Sequence, residues 1–221
     1  MSSTQSIRDF SLSNGSTIPV GTFYCIGRNY SAHAKEMGAE VPTSPLVFLK
    51  PPSAYLPFDG ALLHCPEYSH EMHHEVEIAI VIGEDIPMGL QTGFASFVAG
   101  YGIALDLTLR DVQSRAKSKG EPWAVSKGFA GSAPVSVLFP STEFPHLTFS
   151  LSVNGEIRQK GDTEMMERDF DALIGYCHSI FSLRKGDCIL TGTPEGVGQL
   201  YSGDILVATI DGHLSSRCTI A

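Results

Sequence analysis

Apolar positions along the chain gather mostly into short runs with strand character and only occasionally recur at helical spacing. The stretch EVEIAIVIG, from Glu75 to Gly83, is dominated by β-branched residues, opens on two glutamates and closes on glycine, which predicts a strand. LTFSLSVNGEIRQKG alternates and carries Asn154-Gly155, a strong short-range hairpin signal. DCILTGTPEGVG and GDILVATIDG predict two more strands, the first leading into a glycine-rich loop. PLVFLKPPSAYLPF predicts a strand followed by a proline-rich loop, because proline cannot donate to a sheet ladder.

Helical signals are fewer. YCIGRNYSAHAKEMG predicts a short strand, a turn over Gly27 to Asn29 and a short helix ending near Gly38. TGFASFVAGYGIALDLTLRDVQSRAKSKG predicts a helix, a strand running into Asp106 and a helix from about Thr108. MERDFDALIGYCHSIFSLRKG places Phe170, Leu173, Ile174, Cys177, Ile180 and Phe181 at helical spacing. There is no repeat and no regular βαβ alternation. The pattern predicts an α+β class with a mainly antiparallel core. It also predicts a single domain over residues 1–221, with residues 1–20 as an N-terminal extension or edge strand.

Composition narrows the class. With 221 residues, 43% hydrophobic and 18% charged, the chain suits a folded protein with a sizeable core. A net charge of −9 with dispersed lysines and arginines argues against a nucleic-acid partner. The longest weakly polar run, Phe94 to Leu105, is too short and too interrupted to cross a bilayer. Five scattered cysteines without a C-x-x-C pair read as free thiols. The opening MSSTQSIRDFSLSNGS has no apolar core of a signal peptide, so the expected compartment is the cytoplasm.

The candidate chemistry centres on SHEMHHEVEIAIVIG. His70-Glu71-Met72-His73-His74 matches H-E-x-x-H, which would make a zinc peptidase if it lay on a stable helix. Pro66 upstream and the strand from Glu75 leave room for about two helical turns, which are marginal alone. In a strand, Glu75 and Glu77 share a face and place two carboxylates side by side. That spacing equally describes two solvated glutamates at a strand start. Asp106, ending the apolar run YGIALD, adds a carboxylate that is costly to bury unpaired. Three hard oxygens suit Mg²⁺ or Mn²⁺.

His33 and Glu36, three apart on the short helix, can share a face, as a surface pair or as an oriented imidazole base. Lys127 in EPWAVSKGF is a functional cation or an exposed loop residue. LTGTPEGVG fits neither phosphate-binding fingerprint. It is a tight loop, or one whose amides and Thr193 hydroxyl grip an anion. No G-x-S-x-G elbow is present.

Together these segments resemble the short single-domain acylpyruvase branch of the fumarylacetoacetate hydrolase superfamily. IGRNYSAHAKEM, PLVFLKP, HHEVEIAIVIG, GYGIALDLTLRDVQ, PWAVSKGF, VNGEIRQ and LTGTPEGVG fall in the family's order from about residue 24 to 212. The resemblance implies a mixed β-sandwich or β-roll core, a homodimer, and Glu75, Glu77 and Asp106 as ligands of Mg²⁺ or Mn²⁺. It further implies His33 and Glu36 as a water-activating dyad on a lid and Lys127 as an active-site lysine. Arg110, Gln113 and Thr193 fall at positions tied to substrate or to site architecture. The implied activity is hydrolysis of acylpyruvates (2,4-dioxo acids) to pyruvate and a carboxylic acid, with oxaloacetate decarboxylation possible on the same enolate. Alternatives on the same scaffold are decarboxylation or isomerisation of hydroxymuconate-type catabolites and tautomerisation of oxaloacetate. The expected partner is in each case a small 2-oxo acid.

Overall fold

The computed structural model describes residues 8–36, 38, 40–212 and 214–221. Its core is an eight-stranded sheet with the spatial order Leu46–Lys50, Phe23–Gly27, Cys188–Leu190, Val76–Ile82, Val98–Leu105, Ala133–Val135 and Tyr55–Pro57. Phe139–Pro140 pairs alongside Val98–Leu105. A five-stranded sheet follows the order Glu156–Asp162, Thr148–Val153, Ile205–Ile210, Leu214–Ile220 and Ala61–Leu63. A small three-stranded sheet joins Thr108–Leu109, Met72–His74 and Gly198–Gln199. Most pairings are antiparallel, as expected. Among the described residues the parallel strand pairs join Cys188–Leu190 to Phe23–Gly27, Ala133–Val135 to Tyr55–Pro57, and Leu214–Ile220 to Ala61–Leu63, and a single parallel bridge links Leu12 to Leu138.

The strand Val76–Ile82 is buried at every position because both faces of its sheet are covered. Val76, Ile78, Ile80 and Ile82 enter the larger apolar cluster with Phe94, Leu151 and Ile174. Ala79 and Val81 enter a second cluster with Phe10, Phe23, Cys25 and Leu190. Glu77 has the parity of Ala79 and Val81, so its carboxyl stands on the face lined by smaller side chains. The neighbouring strand Val98–Leu105 pairs Val76 with Leu105 and Glu77 with Ala104. One step further, the Asp106 amide donates to the Glu75 carbonyl at 2.8 Å, which sets Asp106 directly opposite Glu75.

Among the described residues, four α-helices carry the remaining sequence signals: α1 (Ser31–Glu36), α2 (Arg110–Lys119), α3 (Ala124–Lys127) and α4 (Phe170–Phe181). Asp169 caps α4 by accepting from the Ala172 amide at 2.9 Å. The expected start of α2 near Thr108 is two residues early, because Thr108 and Leu109 pair with His73 and Met72 instead. The helix expected in TGFASF is a single 3₁₀ turn, Phe94–Phe97. The proline-rich segment after Lys50 is more ordered than a loop: a 3₁₀ turn at Pro52–Ala54 leads into the strand Tyr55–Pro57. Its prolines are tolerated because that strand lies at the sheet edge. Near the N-terminus, Asp9–Ser11 and Thr17–Pro19 form a hairpin whose Phe10 and Ile18 pack into the second cluster. No helix among the described residues is long and apolar enough to cross a membrane.

Candidate active site

The H-E-x-x-H match falls on no helix. Met72–His74 is a strand, and His70 is exposed, meeting Asp111 at 3.2 Å. The imidazole of His74 is buried, with Nδ1 2.9 Å from the Gln159 side-chain oxygen. The two histidines do not converge, and the zinc-peptidase reading fails on geometry.

The carboxylates do converge. Glu75, Glu77 and Asp106 are all buried, and each offers an oxygen within 4.8 Å of the others. Cations surround them unevenly. Lys127 Nζ lies 2.8 Å from Glu75 Oε2 and 2.5 Å from Asp106 Oδ2. Arg110 reaches Glu75 Oε1 at 2.5 Å and donates to the Gln113 side-chain oxygen at 2.8 Å. Burial alone would raise the Glu75 carboxyl, but Lys127 and Arg110 reverse this and hold it far below the usual range. Burial likewise disfavours the Lys127 ammonium, yet Asp106 and Glu75 push it up to about 12. Glu77 has no such partner. Burial, then Asp106 and Glu75, push its carboxyl well above the ordinary range, with the Gly192 amide at 2.7 Å as partial relief.

Lys50 is fully buried beneath this cluster. Its Nζ donates to the carbonyls of Leu107 (3.2 Å), Lys127 and Ser132 (3.1 Å). All three ammonium hydrogens are thereby used. The Asp106 Oδ1 atom, 2.8 Å from the same Nζ, feels its charge but receives no hydrogen bond from it. A buried carboxylate oxygen without a donor, next to two other hard oxygens, fits a divalent cation such as Mg²⁺ or Mn²⁺.

The second constellation lies on α1. His33 Nδ1 is 3.1 Å from Glu36 Oε2, and Glu36 Oε1 accepts from the Gly196 amide at 3.0 Å. Upstream, Asn29 fixes the start of this segment. Its side chain donates to the carbonyls of Arg168 and Thr191 and accepts from the Arg168 amide. His33, Glu75, Glu77, Asp106, Arg110, Gln113, Lys127 and Thr193 line one cavity of about 60 Å³, together with Arg28, Lys117 and Trp123. A larger cavity of about 540 Å³ around Tyr30, Phe149 and Ile157 touches the same helix but contains neither the carboxylate triad nor His33. Size is therefore a poor guide here. A further grouping, His146, Asp162 and Glu164, is largely solvated and already linked by its own ion contacts.

The glycine loop after Leu190 does grip anions, but they belong to the protein. The Gly192 amide holds Glu77 and the Gly196 amide holds Glu36. Thr193 Oγ1 is committed to the Val76 carbonyl (2.9 Å) and accepts from Gln159 Nε2 (2.8 Å). Both glycines have left-handed backbones, with φ of 99° and 94°. A methyl group on Gly196 would sit 2.0 Å from the Arg158 carbonyl oxygen. Gly196→Ala is expected to destabilise the protein by about 1–3 kcal/mol through overpacking. It should also loosen Glu36, so that thermal melting and turnover decline together.

Sequence reasoning passed over Lys50, Gln159, Asn29, Gly192 and Gly196. Lys50 left a signal, since a lysine ending the apolar run LVFLK ahead of two prolines is hard to solvate. Gln159 left none, because it reads as an ordinary polar residue in the exposed alternation of its strand.

Residues 22–221 match the family model for the fumarylacetoacetate (FAA) hydrolase C-terminal domain. The chain is 46% identical over 199 residues to the oxaloacetate tautomerase YcgM of Escherichia coli, covering 88% of this chain and 90% of that protein. It is 45% identical over 193 residues to a mitochondrial oxaloacetate decarboxylase of Dictyostelium discoideum, covering 85% and 87%. Among solved structures, fumarylpyruvate hydrolase from Pseudomonas aeruginosa, in complex with Mn²⁺ and pyruvate, superposes with a TM-score of 0.89 at 35% identity, covering 96% and 95%. The protein belongs to the fumarylacetoacetate hydrolase family. Its α+β architecture is the one this family shares, and the family's members include tautomerases, decarboxylases and hydrolases.

Proposed function

We propose that this protein is a divalent-metal-dependent oxaloacetate tautomerase. The observation that carries the reading is an imidazole fixed for proton transfer in the same compact cavity as three convergent carboxylates. Glu75, Glu77 and Asp106 would hold the Mg²⁺ or Mn²⁺ ion. When bound, the ion supplies Lewis-acid polarisation of a 2-oxo group.

Tautomerisation breaks the C3–H bond of oxaloacetate, forms C2=C3 and leaves the former carbonyl oxygen protonated. Glu36 occupies His33 Nδ1, so Nε2 is the atom that takes the C3 proton and gives it up again to the enolate oxygen, through solvent, leaving the imidazole neutral for the next turnover. Burial notwithstanding, Asp106 and Glu75 keep Lys127 charged, and Lys127 and Arg110 stabilise negative charge developing at the oxygen. Decarboxylation removes no C3 proton before its bond breaks, and gives an oriented base nothing to do. Hydrolysis of an acylpyruvate could use the same imidazole on water. It must also house an acyl group beyond the 2-oxo acid, a demand that oxaloacetate does not make.

The decisive assay follows conversion of enol-oxaloacetate to the keto form with Mn²⁺ or Mg²⁺, coupled to a keto-specific dehydrogenase. Acceleration is expected with either ion and not after chelation. An unchanged rate sinks the proposal, and rapid cleavage of acylpyruvates in that protein would restore the hydrolase reading.

A further inference from the structure

The cavity wall carries more positive charge than its carboxylates consume. Arg110 and Lys127 are paired with Glu75 and Asp106, and Lys50 is saturated by carbonyls. Arg28 and Lys117 also line the cavity, and neither meets a carboxylate or hydrogen-bond acceptor among the described residues. Arg28 is half-buried in a left-handed backbone, φ 61°, an unfavourable conformation for a side chain of this kind. Lys117 Nζ rests 5.1 Å from the Trp123 ring centroid. Burial, followed by repulsion from Arg110, Arg28 and Lys127, lowers its ammonium below the ordinary range. Glu75 attracts Lys117 from a distance, but neither cation is ion-paired, and cations that repel one another at a cavity wall without a direct counter-ion make a receptor for an external anion.

We propose that Arg28 and Lys117 together hold the distal carboxylate of a four-carbon 2-oxo diacid, selecting it over 2-oxo acids with uncharged tails. This rests on the tautomerase reading and names the residues that select its substrate. It also bears on which reaction the bound diacid undergoes. Loss of carbon dioxide breaks the C3–C4 bond, sends that electron pair to C3 and turns a charged carboxylate into a neutral molecule. Ion pairing stabilises the charged form and is lost on the way to the neutral one, so the clamp disfavours decarboxylation and leaves proton transfer as the open path.

The test compares oxaloacetate with its 4-methyl ester in the parent protein and in Arg28→Gln, Lys117→Met and the double variant, all loaded with Mn²⁺. The ratio of kcat/KM for the diacid to that for the ester is expected to fall about 10- to 100-fold per charge removed. The change should lie in KM, and pyruvate formed per tautomerisation should rise. Oxalate, which has no distal carboxylate, should inhibit parent and variants alike, reporting an intact carboxylate triad. Equal losses for diacid and ester, or no loss, overturn the clamp. If the parent turned over neither compound, the tautomerase reading would fail separately. Calorimetric binding to the Mn²⁺-loaded protein would then decide the clamp, with tighter binding of the diacid supporting it and equal affinities overturning it.

Discussion

Asp106→Asn and Glu77→Gln should both abolish tight binding of a divalent cation, yet only the first should cost the metal-free protein stability. Asp106 neutralises two buried ammonium groups, Lys50 and Lys127. Removing its charge leaves Lys50 with carbonyl oxygens alone and Lys127 with Glu75 alone, and breaking a buried pair from one side costs about 3–5 kcal/mol. For a chain of this size that lowers Tm by roughly 6–20 °C. Glu77 has only an amide for a partner and faces two like charges. A neutral amide there removes repulsion, so the metal-free Glu77→Gln protein should melt no lower than the parent. In the parent without a divalent ion, the folded Glu77 carboxyl titrates above its unfolded value. Its contribution to stability is therefore full at low pH, below the unfolded pKa, and is lost as pH rises through the folded one. Glu77→Gln should erase that part of the pH dependence. Turnover in either variant should fall at least about 100-fold, beyond the loss typical of residues that only support metal ligands. Melting curves with and without Mn²⁺ across pH, beside calorimetric Mn²⁺ titrations, check all of this. A parallel loss of stability in the two variants would contradict the asymmetric charge distribution.

His33→Gln is expected to lower kcat by about 10²–10⁴-fold, the usual contribution of a positioned general base. Mn²⁺ affinity and melting should stay close to the parent's, because His33 touches Glu36 and none of the three carboxylates by hydrogen bond or ion pair. Glu36→Gln keeps an acceptor for Gly196 and His33 while removing the charge, so its loss should be smaller. Solvent-derived deuterium at C3 of oxaloacetate gives a direct readout, and its exchange should slow in step with kcat in His33→Gln. Loss of Mn²⁺ binding in that variant would assign the imidazole to the metal cluster and remove it as the base.

The parts of this molecule that follow from local pattern were legible in its sequence. The strand at Val76, the hairpin at Asn154-Gly155, the helix capped by Asp169 and the shared face of Glu75 and Glu77 all rest on spacing. What stayed hidden depends on partners far along the chain. Lys50 is buried because three carbonyls from residues 107, 127 and 132 surround it, and no window around LVFLKPP contains them. Gln159 looks like a surface residue of an alternating strand. It is buried because His74, the Val76 amide, Thr193 and the Pro194 carbonyl meet it at both ends. The start of α2 was misplaced for the same reason, since Thr108 and Leu109 answer to the strand at Met72 before the helix begins. The H-E-x-x-H match misleads because its letters carry no information about whether a helix forms.

The loop from Thr191 to Gly196 also sets when in the life of the chain a working site exists. Its two glycine amides reach back 115 residues to Glu77 and 160 residues to Glu36. Contacts of such separation form late, after the cost of closing long loops has been met. On a ribosome, a chain extended only to the strand at Val98 already contains His33, Glu36, Glu75 and Glu77, but nothing yet holds them in place. Activity should therefore emerge in one step with docking of the C-terminal third, and refolding monitored by turnover should lag the earliest burial of apolar surface.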